Sequence, residues 1–156
     1  DGSTYDSRTI TGNGIYLRHV WGTLVPGFYK NPKENHTAYA TRWIYSKKAC
    51  KVHLYLEFQN YSRSESDLPP LLGTWDYKGS KAWMNGEEIM PPVWQNTNKE
   101  RLLELPLRNE NCVSRPAVDI SIRKGWNKLV LKLPVGRFSS SEVRLVKWMF
   151  SATVEQ

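Results

Sequence analysis

Lys51-Val52-His53-Leu54-Tyr55-Leu56-Glu57-Phe58 decides the fold class. Val52, Leu54, Leu56 and Phe58 point one way, and His53, Tyr55 and Glu57 the other, because successive strand side chains face opposite sides of a sheet. The same period of two recurs along the chain. Val118, Ile120 and Ile122 alternate with Asp119, Ser121 and Arg123, and Leu129, Leu131 and Leu133 alternate with Lys128, Val130 and Lys132. Tyr39, Thr41, Trp43 and Tyr45 form a further face. Each pattern predicts a half-buried strand.

Ile15 to Trp21 and Val143 to Val154 are rich in β-branched and aromatic residues and also read as strands. Apolar residues occupy both faces of Val146 to Phe150, which places that strand near the centre of a sheet. Lys81 to Met84 and Glu87 to Met90 flank Asn85-Gly86, two residues tolerant of positive φ, so they predict a tight hairpin. Helical signal is poor: Lys99 to Leu105 could make about one turn before Pro106 stops it. The pattern as a whole predicts an all-β chain, a β-sandwich or jelly roll, over residues 15–156. Residues 1–14 read as a linker or loose N-terminal segment. Two long loops, Asn60 to Gly79 and Pro91 to Pro116, interrupt the strands. Loops of that length in a compact domain are functional or packed on themselves.

Composition narrows the function. A chain of 156 residues can bury roughly 68–70% of its unfolded surface, so its core needs no metal or disulfide. Apolar runs fall short of a membrane helix, and the polar stretch Asp1 to Thr11 does not read as a charged-then-apolar leader. The chain is expected to start at a mature terminus or to be part of something longer. Lys and Arg (22) exceed Asp and Glu (15), giving +7. The basic residues are spread among apolar ones rather than blocked together, so nucleic acid is not the expected partner. Cys50 and Cys112 match neither a zinc nor a Cys-x-x-Cys redox motif, and whether they pair is left open.

Catalytic chemistry has no visible carrier. Glu87 and Glu88 are adjacent beside a turn, where strand geometry makes them diverge, unlike the facing carboxyls of a glycosidase. His19, His36 and His53 form no ligand-spaced cluster, and no metal site or cofactor is expected. A structural Ca²⁺ would need several converging oxygens, which spacing does not indicate. No nucleophile elbow or P-loop is present. What remains is aromatic and amide-rich surface. A Trp or Tyr ring can stack on the apolar face of a sugar while amides, acids and guanidinium bond its hydroxyl rim. Trp75, Tyr77 and Trp94 lie in the long loops near Asp76, Asn96, Asn98 and Arg115. We therefore take Trp75, Tyr77 and Trp94 as candidate stacking platforms, with Asp76, Asn96 and Arg115 as candidate hydroxyl partners. The alternative role of these rings is to anchor the loops or meet another domain. Trp43, Trp83, Trp126 and Trp148 fall in or beside strand patterns and are expected in the core.

The stretch Trp75-Asp76-Tyr77, then Ala82-Trp83-Met84-Asn85-Gly86-Glu87 and Ile89-Met90-Pro91-Pro92-Val93-Trp94, resembles the hairpin of galactose-binding-like jelly rolls attached to bacterial glycosidases. Ile122-Arg123-Lys124-Gly125-Trp126-Asn127-Lys128-Leu129-Val130-Leu131-Lys132 is similar to the strand that follows it there. With Arg18 to Thr23, Phe28 to Pro32, Phe58 to Ser64 and Val143 to Phe150, the likeness extends to the C-terminal domain of gut-bacterial β-N-acetylhexosaminidases of glycoside hydrolase family 20. The resemblance implies a galactose-binding-like jelly-roll β-sandwich. It also implies a periplasmic or cell-surface location, with the enzyme's catalytic domain and a glycan as partners. Enzymes of that family use an Asp-Glu pair on a (β/α)₈ barrel. This sequence has no Asp-Glu dipeptide and is shorter than such a barrel, so no catalytic residue is transferred to it.

Overall fold

The computed structural model describes residues 8–59, 73–76, 78–92, 116–139 and 145–156. Eight strands occur among them: β1 (Gly14–His19), β2 (Thr37–Ser46), β3 (Cys50–Gln59), β4 (Lys81–Met84), β5 (Glu87–Glu88), β6 (Val118–Ile122), β7 (Gly125–Pro134) and β8 (Lys147–Glu155). They form two antiparallel four-stranded sheets, in the orders β1-β8-β3-β6 and β2-β7-β4-β5. No helix occurs among the described residues. The all-β expectation therefore holds, with a β-sandwich-like arrangement of two sheets.

Alternation builds the core between the sheets. Val52, Leu54, Leu56 and Phe58 from β3 face inward with Ile120 and Ile122 from β6, and with Trp148, Phe150 and Ala152 from β8. The second sheet supplies Ala38, Ala82, Met84, Leu129, Leu131 and Leu133. Burying a side chain of Leu or Phe size is worth about 1.5–3 kcal/mol, so this inner face is the main source of stability. As its sequence implied, β8 is interior: it pairs with β1 on one side and β3 on the other, and Val146 to Phe150 are all buried. The hairpin also forms as expected. Asn85 has φ 54° and Gly86 φ 91°, the left-handed pair that a two-residue turn of this hand requires.

The two sequence motifs meet at one buried amide. Asn127 is fully buried. Its Nδ2 donates to the carbonyls of Arg123 (2.9 Å), Gly125 (3.1 Å) and Ile44 (3.4 Å). Its Oδ1 accepts from the Arg123 backbone N–H (2.9 Å) and from Asn85 Nδ2 (2.8 Å). Asn85 Oδ1 in turn accepts from the Lys128 N–H at 2.9 Å. The β4–β5 turn and the β6–β7 turn are thus tied by a satisfied polar network, as a buried amide requires.

One expectation about the core is corrected. Of the four tryptophans assigned to it, only Trp148 is buried, stacked on Tyr29 at 5.9 Å. Trp43 and Trp126 are exposed and Trp83 is half-buried. The reason is phase. Trp43 alternates with Ala38, Ala40 and Ile44, which turn toward the other sheet, and Trp126 precedes the inward Asn127. Membership of a strand does not say which side a side chain takes.

Candidate functional site

The loop aromatics expected to bind sugar divide into two groups. Tyr77, Trp94, Asn96 and Arg115 lie outside the described residues, as do Asn98, the Lys99–Leu105 turn and Cys112. Trp75 and Asp76 are described, and both are buried. The Trp75 indole N–H donates to the Ile89 carbonyl at 3.0 Å, and its ring meets Phe58 edge-on at 5.5 Å. Asp76 closes the following turn: Oδ1 accepts from the N–H groups of Lys78 and Ser80, both at 2.9 Å, and Oδ2 accepts from Ser80 Oγ at 2.5 Å. A ring in the core has no face to offer a sugar, and this carboxylate is saturated by its own loop. Both residues act as anchors here, the alternative role weighed for the loop aromatics.

The exposed aromatics lie elsewhere, on the outer face of the second sheet. Tyr39, Trp43, Tyr45 and Trp126 are 56–66% exposed. Strand pairing fixes their neighbours. Tyr39 lies opposite Lys132, Thr41 opposite Val130, Trp43 opposite Lys128 and Tyr45 opposite Trp126. On the other side of β7, Lys132 pairs with Lys81 and Val130 with Trp83, and Trp83 pairs with Glu88. The side chains follow this lattice. Tyr45 and Trp126 meet edge to face with centroids 5.3 Å apart. Lys128 Nζ lies 5.7 Å from the centre of the Trp43 ring, within cation–π range. Lys81 Nζ bonds Glu88 Oε1 at 2.9 Å.

An antiparallel sheet with one solvated face ordinarily carries polar side chains there. This face carries large flat rings beside ammonium groups, which makes it the candidate contact surface. The corresponding face of the first sheet differs: Glu57, Gln59 and Lys147 are buried on it, with Gln59 Nε2 donating to Glu57 Oε2 at 3.1 Å. The signal for the aromatic face was in the sequence, as the alternation of Tyr39, Thr41, Trp43 and Tyr45. What was missing was the sign of the alternation, which inward Ala38, Ala40 and Ile44 supply.

A cleft of about 630 Å³ opens between the sheets beside β1 and β2. Its floor is apolar, with Ile15, Leu17, Ala38, Leu131 and Phe150. At its rim Arg42 Nη1 bonds Asn13 Oδ1 at 3.2 Å and the Ala152 carbonyl at 3.4 Å. Thr9, Thr11 and Thr41 also line the cleft, and the exposed rings of Tyr39 and Trp43 border it. No group of three or more His, Cys, Asp or Glu side chains suited to a metal ion occurs among the described residues. No described helix is long and apolar enough to cross a membrane. Cys50 is a half-buried free thiol. No protein-family model, curated protein or solved structure matches the chain.

Proposed function

We propose that the chain is a non-catalytic accessory domain of a carbohydrate-processing glycosidase of the hexosaminidase kind, acting outside the cytoplasm, with a galactose-binding-like jelly-roll topology. On this reading it holds glycan weakly on the outer face of the β2-β7-β4-β5 sheet. One observation carries the reading: Tyr39, Trp43, Tyr45 and Trp126 stand exposed together on one rigid sheet face. Rings fixed on strands offer sugar C–H faces a stacking surface at little entropic cost, since the backbone that presents them is already ordered.

The test is calorimetric titration with N-acetylglucosamine and galactose oligosaccharides at millimolar concentration, on the chain and on two variants. We expect weak binding by the chain and about a tenfold loss, worth ~1.4 kcal/mol, in each of Trp43→Ala and Trp126→Ala. Both positions are exposed, so the variants should remain folded. Binding that survives both substitutions unchanged would remove this face from the account. A chromogenic N-acetylglucosaminide should be turned over no faster by the chain than by buffer.

The exposure of four rings on one sheet face favours one further reading, in which the same face docks the enzyme's catalytic domain. It differs in outcome: Trp43→Ala would then weaken association with that domain and leave oligosaccharide titrations silent in both proteins.

A further inference from the structure

We infer that the glycan laid on this face is a linear acidic polysaccharide with a carboxylate on alternate sugars, running along β2. The inference deepens the carbohydrate-binding reading above and rests on it.

Charge comes first. The outward side chains of the sheet include three ammonium groups, Lys81, Lys128 and Lys132, and one carboxylate, Glu88. Glu88 is already bonded to Lys81. Lys128 and Lys132 have no acidic partner among the described residues. A neutral chain would leave both ammonium groups beside stacked rings without compensation, whereas a polyanion supplies it.

Spacing comes second. Tyr39 faces Lys132 and Trp43 faces Lys128, so one ring-and-lysine pair repeats after four residues, about 13 Å along the strand. Thr41 and Val130, which lie between, bring no charge. A ligand that satisfies both pairs needs a stackable ring and an acid at each end of that interval, with an uncharged unit between. A polysaccharide in which acidic and neutral sugars alternate has a somewhat shorter repeat, and the flexible four-carbon lysine stems reach across the difference. The same spacing is a poor layout for nucleic acid. A strand of duplex carries one phosphate per 3.4 Å or so, and two lysines about 13 Å apart leave most of those charges unmet. Nor does the outer face of these strands present the arginine forks that suit phosphate.

The experiment is calorimetry on the 156-residue chain with four probes: a hyaluronan octasaccharide, a neutral chito-oligosaccharide, a heparin octasaccharide and oligo-dT. The same series is run on the doubly substituted Lys128→Gln/Lys132→Gln chain, with circular dichroism and melting to show that it folds. We expect the hyaluronan probe to bind at least tenfold tighter than the neutral one, and the double variant to abolish that difference while keeping the neutral affinity. Added salt should erode only the acidic preference. Equal affinity for hyaluronan and the neutral probe, or a preference that survives the double variant, would overturn the inference and leave the carbohydrate reading standing. Tightest binding of heparin would overturn the carboxylate assignment, and tightest binding of oligo-dT would make the ligand a nucleic acid. Silence from all four probes would defeat this inference and the carbohydrate reading together.

Discussion

Asn127 shows how one side chain can hold two turns. Its fully buried amide bonds three carbonyls and two N–H donors from four different residues, in a partly buried network. Truncation leaves those partly buried groups without their partner, and a fully buried group left unpaired costs about 1–3 kcal/mol. Because neighbours can relax toward one another, we expect Asn127→Ala to lower stability by about 2–4 kcal/mol in urea titration. A loss under about 1 kcal/mol would mean that water or backbone movement replaces the network. Trp75 gives a second case at this scale. Its sequence neighbourhood, a long loop with Asp and Tyr beside it, suits a sugar platform and a loop anchor equally. Burial against Phe58 and the bond to Ile89 decide for the anchor. That distinction was illegible in the sequence because it depends on a contact between residues 17 positions apart (Phe58 to Trp75).

Among the elements, the strands were the most legible feature, since period two is a local property of the chain. β3, β6 and β7 lie where their alternation put them, and β4–β5 turns at Asn85-Gly86. The strand β2 was legible as a strand and misread as to side. Its small inward residues, Ala38 and Ala40, are as informative as its aromatics, because a core-facing strand this long would not spend two such positions on alanine while sending three rings outward. The edge of β1 carries a feature the sequence pattern did not suggest. The segment after Gly27 runs beside it, with Phe28 N–H donating to the Tyr16 carbonyl (2.8 Å) and Tyr29 N–H to the Leu17 carbonyl (3.2 Å). Such pairing shields an otherwise open strand edge. Gly27 permits the approach: a β-carbon there would lie 2.7 Å from the Leu17 carbonyl oxygen and 3.0 Å from the Arg18 α-carbon. Both are backbone atoms, which cannot swing aside. Gly27→Ala should therefore cost about 1–3 kcal/mol and raise hydrogen exchange at Phe28 and Tyr29. Unchanged exchange at both amides would show that the segment does not depend on this contact.

For the whole molecule, the division of labour is between the two faces of the second sheet. One face joins the core through Leu129, Leu131 and Leu133. The other presents four exposed aromatic rings and two lysines without acidic partners among the described residues. The core and the proposed binding surface thus lie on opposite sides of the same strands, so a ring can be removed from the outer face without opening a cavity. The most direct measurement is a two-dimensional NMR titration of the chain with the hyaluronan octasaccharide, read at the tryptophan indole N–H signals. The Trp43 and Trp126 signals should move with the β2 and β7 amides, while the buried Trp75 and Trp148 signals stay in place. Movement of Trp75 or Trp148 with Trp43 and Trp126 still would contradict the proposed binding face.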